Sequence, residues 1–107
     1  MIVNLSALAF ATLLSSNSLV QAISSSEIPH DTPISSLLAS ANAHLAKGET
    51  NDALTYYDVA ISRDPQNYLT YFKRGATYLS LGRTVQATSD FDKVLSIKPG
   101  FEGALVQ

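Results

Sequence analysis

Apolar residues fall along this chain in three patterns that predict three kinds of segment. From Leu5 to Leu14 they form a short run, Leu-Ser-Ala-Leu-Ala-Phe-Ala-Thr-Leu-Leu. Ser15, Ser16, Asn17 and Ser18 interrupt it before it reaches the roughly 20 apolar residues of a membrane-spanning helix. From Ile23 to Pro33 the chain carries Ser24-Ser25-Ser26 and prolines at 29 and 33, a composition that breaks helices and predicts a flexible linker with no apolar face. Beyond Pro33 the apolar positions recur at helical spacing. One face gives Leu38, Asn42 and Leu45, and another gives Leu69, Phe72, Ala76 and Leu79.

The helical part repeats. Shifting the sequence by 34 places brings Gly48 onto Gly82, Thr50 onto Thr84, Ala53 onto Ala87, Asp58 onto Asp92 and Pro65 onto Pro99. Similar pairs fall in the same register: Ala41 with Gly75, Tyr57 with Phe91, Ala60 with Val94, and Ile61 with Leu95. Each unit reads as two helices. First helices are predicted over Ser35–Lys47 and Leu69–Leu81, closed by Gly48 and Gly82, which take positive φ at no steric cost. Second helices are predicted over Asn51–Arg63 and Val85–Ile97, stopped by Asp64-Pro65 and Lys98-Pro99 because proline restricts its predecessor and cannot extend the hydrogen-bond ladder. Ala41, Gly75, Ala53 and Ala87 supply the small side chains that close helix contact needs. Tyr57 and Phe91 fill the space between helices, and Ala60 and Val94 let the next repeat approach.

These residues carry a resemblance. Ile34–Asn67 and Tyr68–Phe101 resemble two tetratricopeptide repeats, with Tyr71, Gly75, Tyr78, Ala87, Phe91, Val94 and Pro99 matching the family's pattern in the second unit. The first unit departs with Ser40, Ala41 and His44, and the second with Arg74 in place of Leu. The resemblance implies an all-α fold of helix-turn-helix units stacked as a short right-handed solenoid. Glu102–Gln107 open a third unit in the same register and stop within its first helix, so a fragment of a longer array is expected, with Val94 and Leu95 partly exposed at its uncovered end.

Charge and composition narrow the chemistry. Seven Lys and Arg against nine Asp and Glu give a net charge of −2, which offers no electrostatic footing for nucleic acid or an anionic membrane. There is no Cys, which excludes disulfides and thiolate metal sites or nucleophiles. No Gly-rich phosphate loop and no nucleophile beside a placed base occurs, so no enzyme, cofactor or metal is expected. His30 lies in the linker, and His44 reads as an inter-helix packing residue with no second ligand at i+3 or i+4. Asp58 and Asp92 read as solvated second-helix positions. No acidic residue precedes Glu27 and no basic one precedes Lys47, and Val20-Gln21-Ala22 has the small-residue spacing of a signal-peptidase site. Residues 1–22 are therefore expected to be a secretory signal cut after Ala22, although their n-region lacks Lys and Arg.

Residues 45–54 and 64–83, together with that leader, are similar to the N-terminal end of co-chaperones of the endoplasmic reticulum lumen that join tetratricopeptide repeats to a J domain. The resemblance implies a module that holds unfolded secretory chains and passes them to BiP through the J domain, whose His-Pro-Asp tripeptide the 107 residues do not contain. The alternative is a structural scaffold repeat of a secreted or membrane-associated assembly. The expected client groove is lined by Leu38, Asn42, Leu45, Leu69, Phe72, Lys73, Ala76 and Leu79. Related repeats grip acidic C-terminal tails through Lys and Asn on these faces. Asn42 matches one such place, but Leu38 and Lys73 stand where Lys and Asn are expected, as do Gly103 and Gln107 where Lys and Arg are expected.

Overall fold

In a computed structural model the described residues are 23–101 and Gly103, and the expected signal segment lies outside them. Among these residues are four α-helices and no strand: α1 (Ile34–Ala46), α2 (Thr50–Arg63), α3 (Tyr68–Ser80) and α4 (Thr84–Ile97). None is long and apolar enough to cross a membrane.

The termini follow from local chemistry. Gly48 and Gly82 adopt φ of 78° and 75° after α1 and α3. Beyond them the Glu49 and Arg83 N–H groups fold back onto the His44 and Tyr78 carbonyls at 2.8 and 2.9 Å, satisfying acceptors that the helix ends leave open. The second helices end where the Asp64 and Lys98 N–H groups make their last bonds, to Ala60 and Val94, ahead of each proline. Each helix begins one residue earlier than the sequence pattern predicts. For α1 the extended backbone of Pro33 already forms the N-cap, and for α3 the Asn67 side chain accepts the Leu69 N–H at 3.1 Å.

Helices adjacent in sequence pack as antiparallel-type hairpins, α1 on α2 and α3 on α4, and α2 meets α3 between repeats. Three buried clusters hold them: Ile28, Leu37 and Ala60; Ala41, Ala53 and Tyr57; and Tyr71, Ala87, Phe91 and Val94. The all-α helical-repeat solenoid follows from this pairing.

Before α1, Ser25–Glu27 form a 3-10 turn, and Ile28 is only 5% exposed, packed against α1 and α2. One expectation is corrected by this packing. Val94 is fully buried rather than partly exposed, because it points into the α3–α4 core with Phe91 and Tyr71, while Leu95 is half-buried. The large apolar side chain left in solvent on α4 is Val85, at 81% exposure.

Candidate functional site

The first helices of the two repeats, α1 and α3, present neighbouring faces, and a concavity of about 450 Å³ opens between them. Asn42 and Leu45 contribute from α1, and Leu69, Phe72, Lys73, Ala76, Thr77 and Ser80 from α3, with Tyr57 and Phe101 closing the floor. Helical spacing explains the α3 set: positions 69, 72, 73, 76 and 80 recur every three or four residues and share one stripe.

Six of the eight residues expected in the groove come together there. Leu38 and Leu79 do not. Leu38 is turned into the repeat, half-buried between the Leu37 and Ala41 clusters, and Leu79 is 42% exposed away from the concavity. Tyr57, Thr77, Ser80 and Phe101 line it without having been expected. Thr77 is one position on from Ala76, within reach of the same stripe, whereas Phe101 enters because the chain turns at Gly100 (φ 86°) and returns its ring to α3. That ring lies edge-on to Phe72 at 5.2 Å and to Tyr68 at 5.3 Å. Phe72 also tilts against Phe91 at 5.8 Å, so it belongs to the core as much as to the groove.

The lining is apolar with a polar border. Lys73 is the lining cation, and Asn42, Thr77 and Ser80 supply amide and hydroxyl groups. The Tyr57 hydroxyl, 1% exposed as a residue, is pushed above the usual phenol range by burial, with the neighbouring Thr77 hydroxyl acting in the opposite direction.

The repeat positions are placed as follows. Ala41, Ala53, Tyr57 and Ala60 are buried in the first repeat, and Gly75, Ala87, Phe91 and Val94 in the second, with Tyr78 half-buried beside them. Pro65 and Pro99 are exposed in the turns after α2 and α4, and the Pro65 carbonyl accepts the Tyr71 hydroxyl at 3.0 Å. Ala60 packs on Leu37 of its own repeat and on Ile28 of the segment before it.

An ion-pair network absent from the sequence reading sits behind the groove. The Arg74 guanidinium donates twice to Asp90, at 2.8 and 2.9 Å, and once to Asp58 at 2.9 Å. Asp90 is 3% exposed, and its bonds to Arg74 hold that guanidinium charged well above its ordinary range against the opposing cost of burial. Asp58 is thus a solvent-facing residue with a specific partner, and Asp92 is exposed. The signal lay in the repeat itself: position 74 aligns with Ser40 and position 90 with Tyr56, so both members of the pair depart together from the first unit.

His44 stacks on Tyr56 at 5.3 Å, which places it between α1 and α2. Its Nδ1 lies 2.7 Å from Glu49 Oε1 and 3.7 Å from Asp52 Oδ2. The three side chains have a donor set that could hold a cation. Their polar atoms already have protein partners, since Glu49 bonds His44 and Asp52 Oδ1 accepts the Ile23 N–H.

Two sequence models of the tetratricopeptide repeat match, over residues 34–67 and 56–88, and together they run through half of the chain. The chain is similar to a "tetratricopeptide repeat and J domain-containing co-chaperone" of Fusarium oxysporum f. sp. lycopersici, 65% identical over 86 residues that make up 80% of this chain and 16% of that protein. A co-chaperone of the same description from Cryptococcus neoformans var. grubii is 42% identical over 71 residues, 66% of this chain and 14% of that protein. DnaJ homolog subfamily C member 3 of Homo sapiens is 36% identical over 63 residues, 59% of this chain and 12% of that protein. The chain spans less than a fifth of the length of these relatives.

Proposed function

Because this chain belongs to the tetratricopeptide repeat family, and its relatives are co-chaperones, we propose that it is a non-enzymatic part of a client-binding co-chaperone of the endoplasmic reticulum lumen. In this reading residues 1–22 are the secretory signal, residues 34–67 and 68–101 are the two repeats, and the α1–α3 concavity takes hydrophobic segments of unfolded secretory chains. Transfer to BiP would proceed through a J domain outside these 107 residues. The observation that carries the reading is the composition of the groove: Leu45, Leu69, Phe72, Ala76 and Phe101 surround a single lysine. A concave apolar face on a soluble repeat marks an interaction site. A clamp for an acidic tail would need cations where Leu38 and Gly103 stand.

The expected affinity is weak. Burial contributes about 25 cal/mol per Å², and association costs several kcal/mol, so a groove burying a few hundred Å² gives micromolar or weaker binding. Fluorescence anisotropy with an unfolded secretory peptide and an acidic C-terminal peptide tests this. Binding of the hydrophobic peptide should persist with rising salt and fall at least several-fold in the Leu69→Ser, Ala76→Glu double variant, whose sites are exposed and leave the Phe72–Phe91 core intact. Equal binding by the folded variant would leave the scaffold role. Preference for the acidic peptide, lost with salt, would point instead to a charge clamp.

A further inference from the structure

Residues 23–32 are held at both ends by α2, and nothing in the repeat pattern requires it. At the start, the Ile23 N–H donates to Asp52 Oδ1 at 2.5 Å, with Asp52 in the first turn of α2 and its side chain 19% exposed. Ser24 and Glu27 form a capping box that turns the chain, with the Ser24 N–H donating to Glu27 Oε1 at 3.0 Å. Ile28 then enters the cluster of Leu37 and Ala60. At the far end, the Arg63 guanidinium from the last turn of α2 donates to the carbonyls of Pro29, at 2.9 Å, and Thr32. The segment thereby covers the outer side of the first repeat, as an N-terminal cap does in a repeat stack.

The atom that meets Asp52 is also the atom that cleavage after Ala22 would change. Hydrolysis adds water across that peptide bond: the Ala22 carbonyl carbon takes the water oxygen and leaves as a carboxylate, and the Ile23 nitrogen keeps the electron pair of the broken C–N bond and takes up both water protons. One amide N–H becomes an ammonium with three donors and a full charge. We propose that Asp52 is the receptor for the Ile23 α-ammonium, so that removal of the leader converts a hydrogen bond into an ion pair and locks the cap onto α1 and α2. The proposal rests on the reading of residues 1–22 as a cleaved signal. The surroundings favour a cation. Asp52 and Glu49 face the site from α2 and its N-cap, Glu27 faces it from the 3-10 turn, and His44 of α1 is the neighbouring ionisable base. An α-amine titrates at about 7.7–8.0 when free. Pairing raises that value in the folded state, so the added stability is full below about pH 7.7 and is lost as pH rises through the folded value.

The test uses the processed chain recovered from secretory membranes after translation with its own leader. N-terminal sequencing should give Ile-Ser-Ser-Ser. A start at any other residue overturns the cleavage reading and the proposal with it. On material that begins at Ile23, the α-amine pKa, followed by the pH dependence of its reductive methylation, should lie about one unit above the free value and return to it in Asp52→Asn. The melting temperature at pH 7 should fall when the α-amine is acetylated, and that difference should vanish near pH 10 and in Asp52→Asn. A start at Ile23 with an unshifted α-amine overturns the pairing alone. If Asp52→Asn does not fold, the wild-type titration and the acetylated chain decide the matter by themselves.

Discussion

Gly75 has no side chain at the point where α4 crosses α3. A Cβ built there would lie 2.9 Å from Phe91 Cε1 and 3.1 Å from Asp90 Cβ, one a buried ring and the other the root of a buried ion pair. Neither neighbour can move away cheaply. Gly75→Leu should therefore destabilise by roughly 1–3 kcal/mol through overpacking, measured as a lower urea midpoint with an unchanged slope, and an unchanged midpoint would refute the close crossing. The small residue was legible in the sequence as the partner of Ala41 in the repeat. What it touches was not, because Phe91 and Asp90 reach it only once the hairpin closes. Residues 38 and 79 show the same limit at the groove. A helical wheel places Leu38 and Leu79 on the stripe, but a stripe of residues four apart drifts around the helix. The rotation that packing Leu37 and Ala41 imposes on α1 carries Leu38 into the core side.

At the scale of elements, the four described helices start by different means. For α3 the Asn67 side chain accepts a backbone N–H, whereas Pro33, Glu49 and Arg83, which precede the others, make no such side-chain bond. Asn67→Ala should cost about 1 kcal/mol, read by circular dichroism thermal melting, while Arg83→Ala should leave helix stability near the wild-type value as far as capping goes. Equal losses at both sites would show that α3 begins by packing alone. The prolines and serines of the segment before α1 weigh against a long helix, which is all they exclude. Ser24 and Glu27 stand three apart, the spacing of a capping box, and that much could have been read from the sequence. The burial of Ile28 depends on a pocket between α1 and α2, which no local pattern encodes.

At the scale of the whole molecule, Arg74 joins the two repeats. Its pair with Asp90 lies within the second repeat and is buried, and its bond to Asp58 reaches α2 of the first, where Asp58 is 57% exposed at its side chain. The two contacts should differ in weight. Arg74→Ala leaves the Asp90 carboxylate buried without a counter-charge and should cost about 3–5 kcal/mol. Asp58→Ala removes one solvent-screened partner and should cost less than about 1 kcal/mol. Chemical denaturation of both single variants and of the double variant separates them: a double variant no less stable than Arg74→Ala places the whole effect at Asp90. Equal losses in the two single variants would mean that the inter-repeat contact, rather than the buried pair, holds the stack.

The sequence by itself determined the four helices to within a residue, their pairing into two units and the family to which they belong. These depend on short-range spacing and on a 34-residue repeat, both of which are properties of the chain before it folds. It also carried most of the groove, since a stripe on one helix is a local feature. The tertiary structure decided the rest. It buried Val94, brought Phe101 back over Phe72, paired Arg74 with Asp90 across 16 positions and seated Ile23 on Asp52 across 29. Each of these contacts joins residues that no periodicity relates, and each gains its energy from burial or from charge placed in low dielectric, conditions that exist only after the helices have packed.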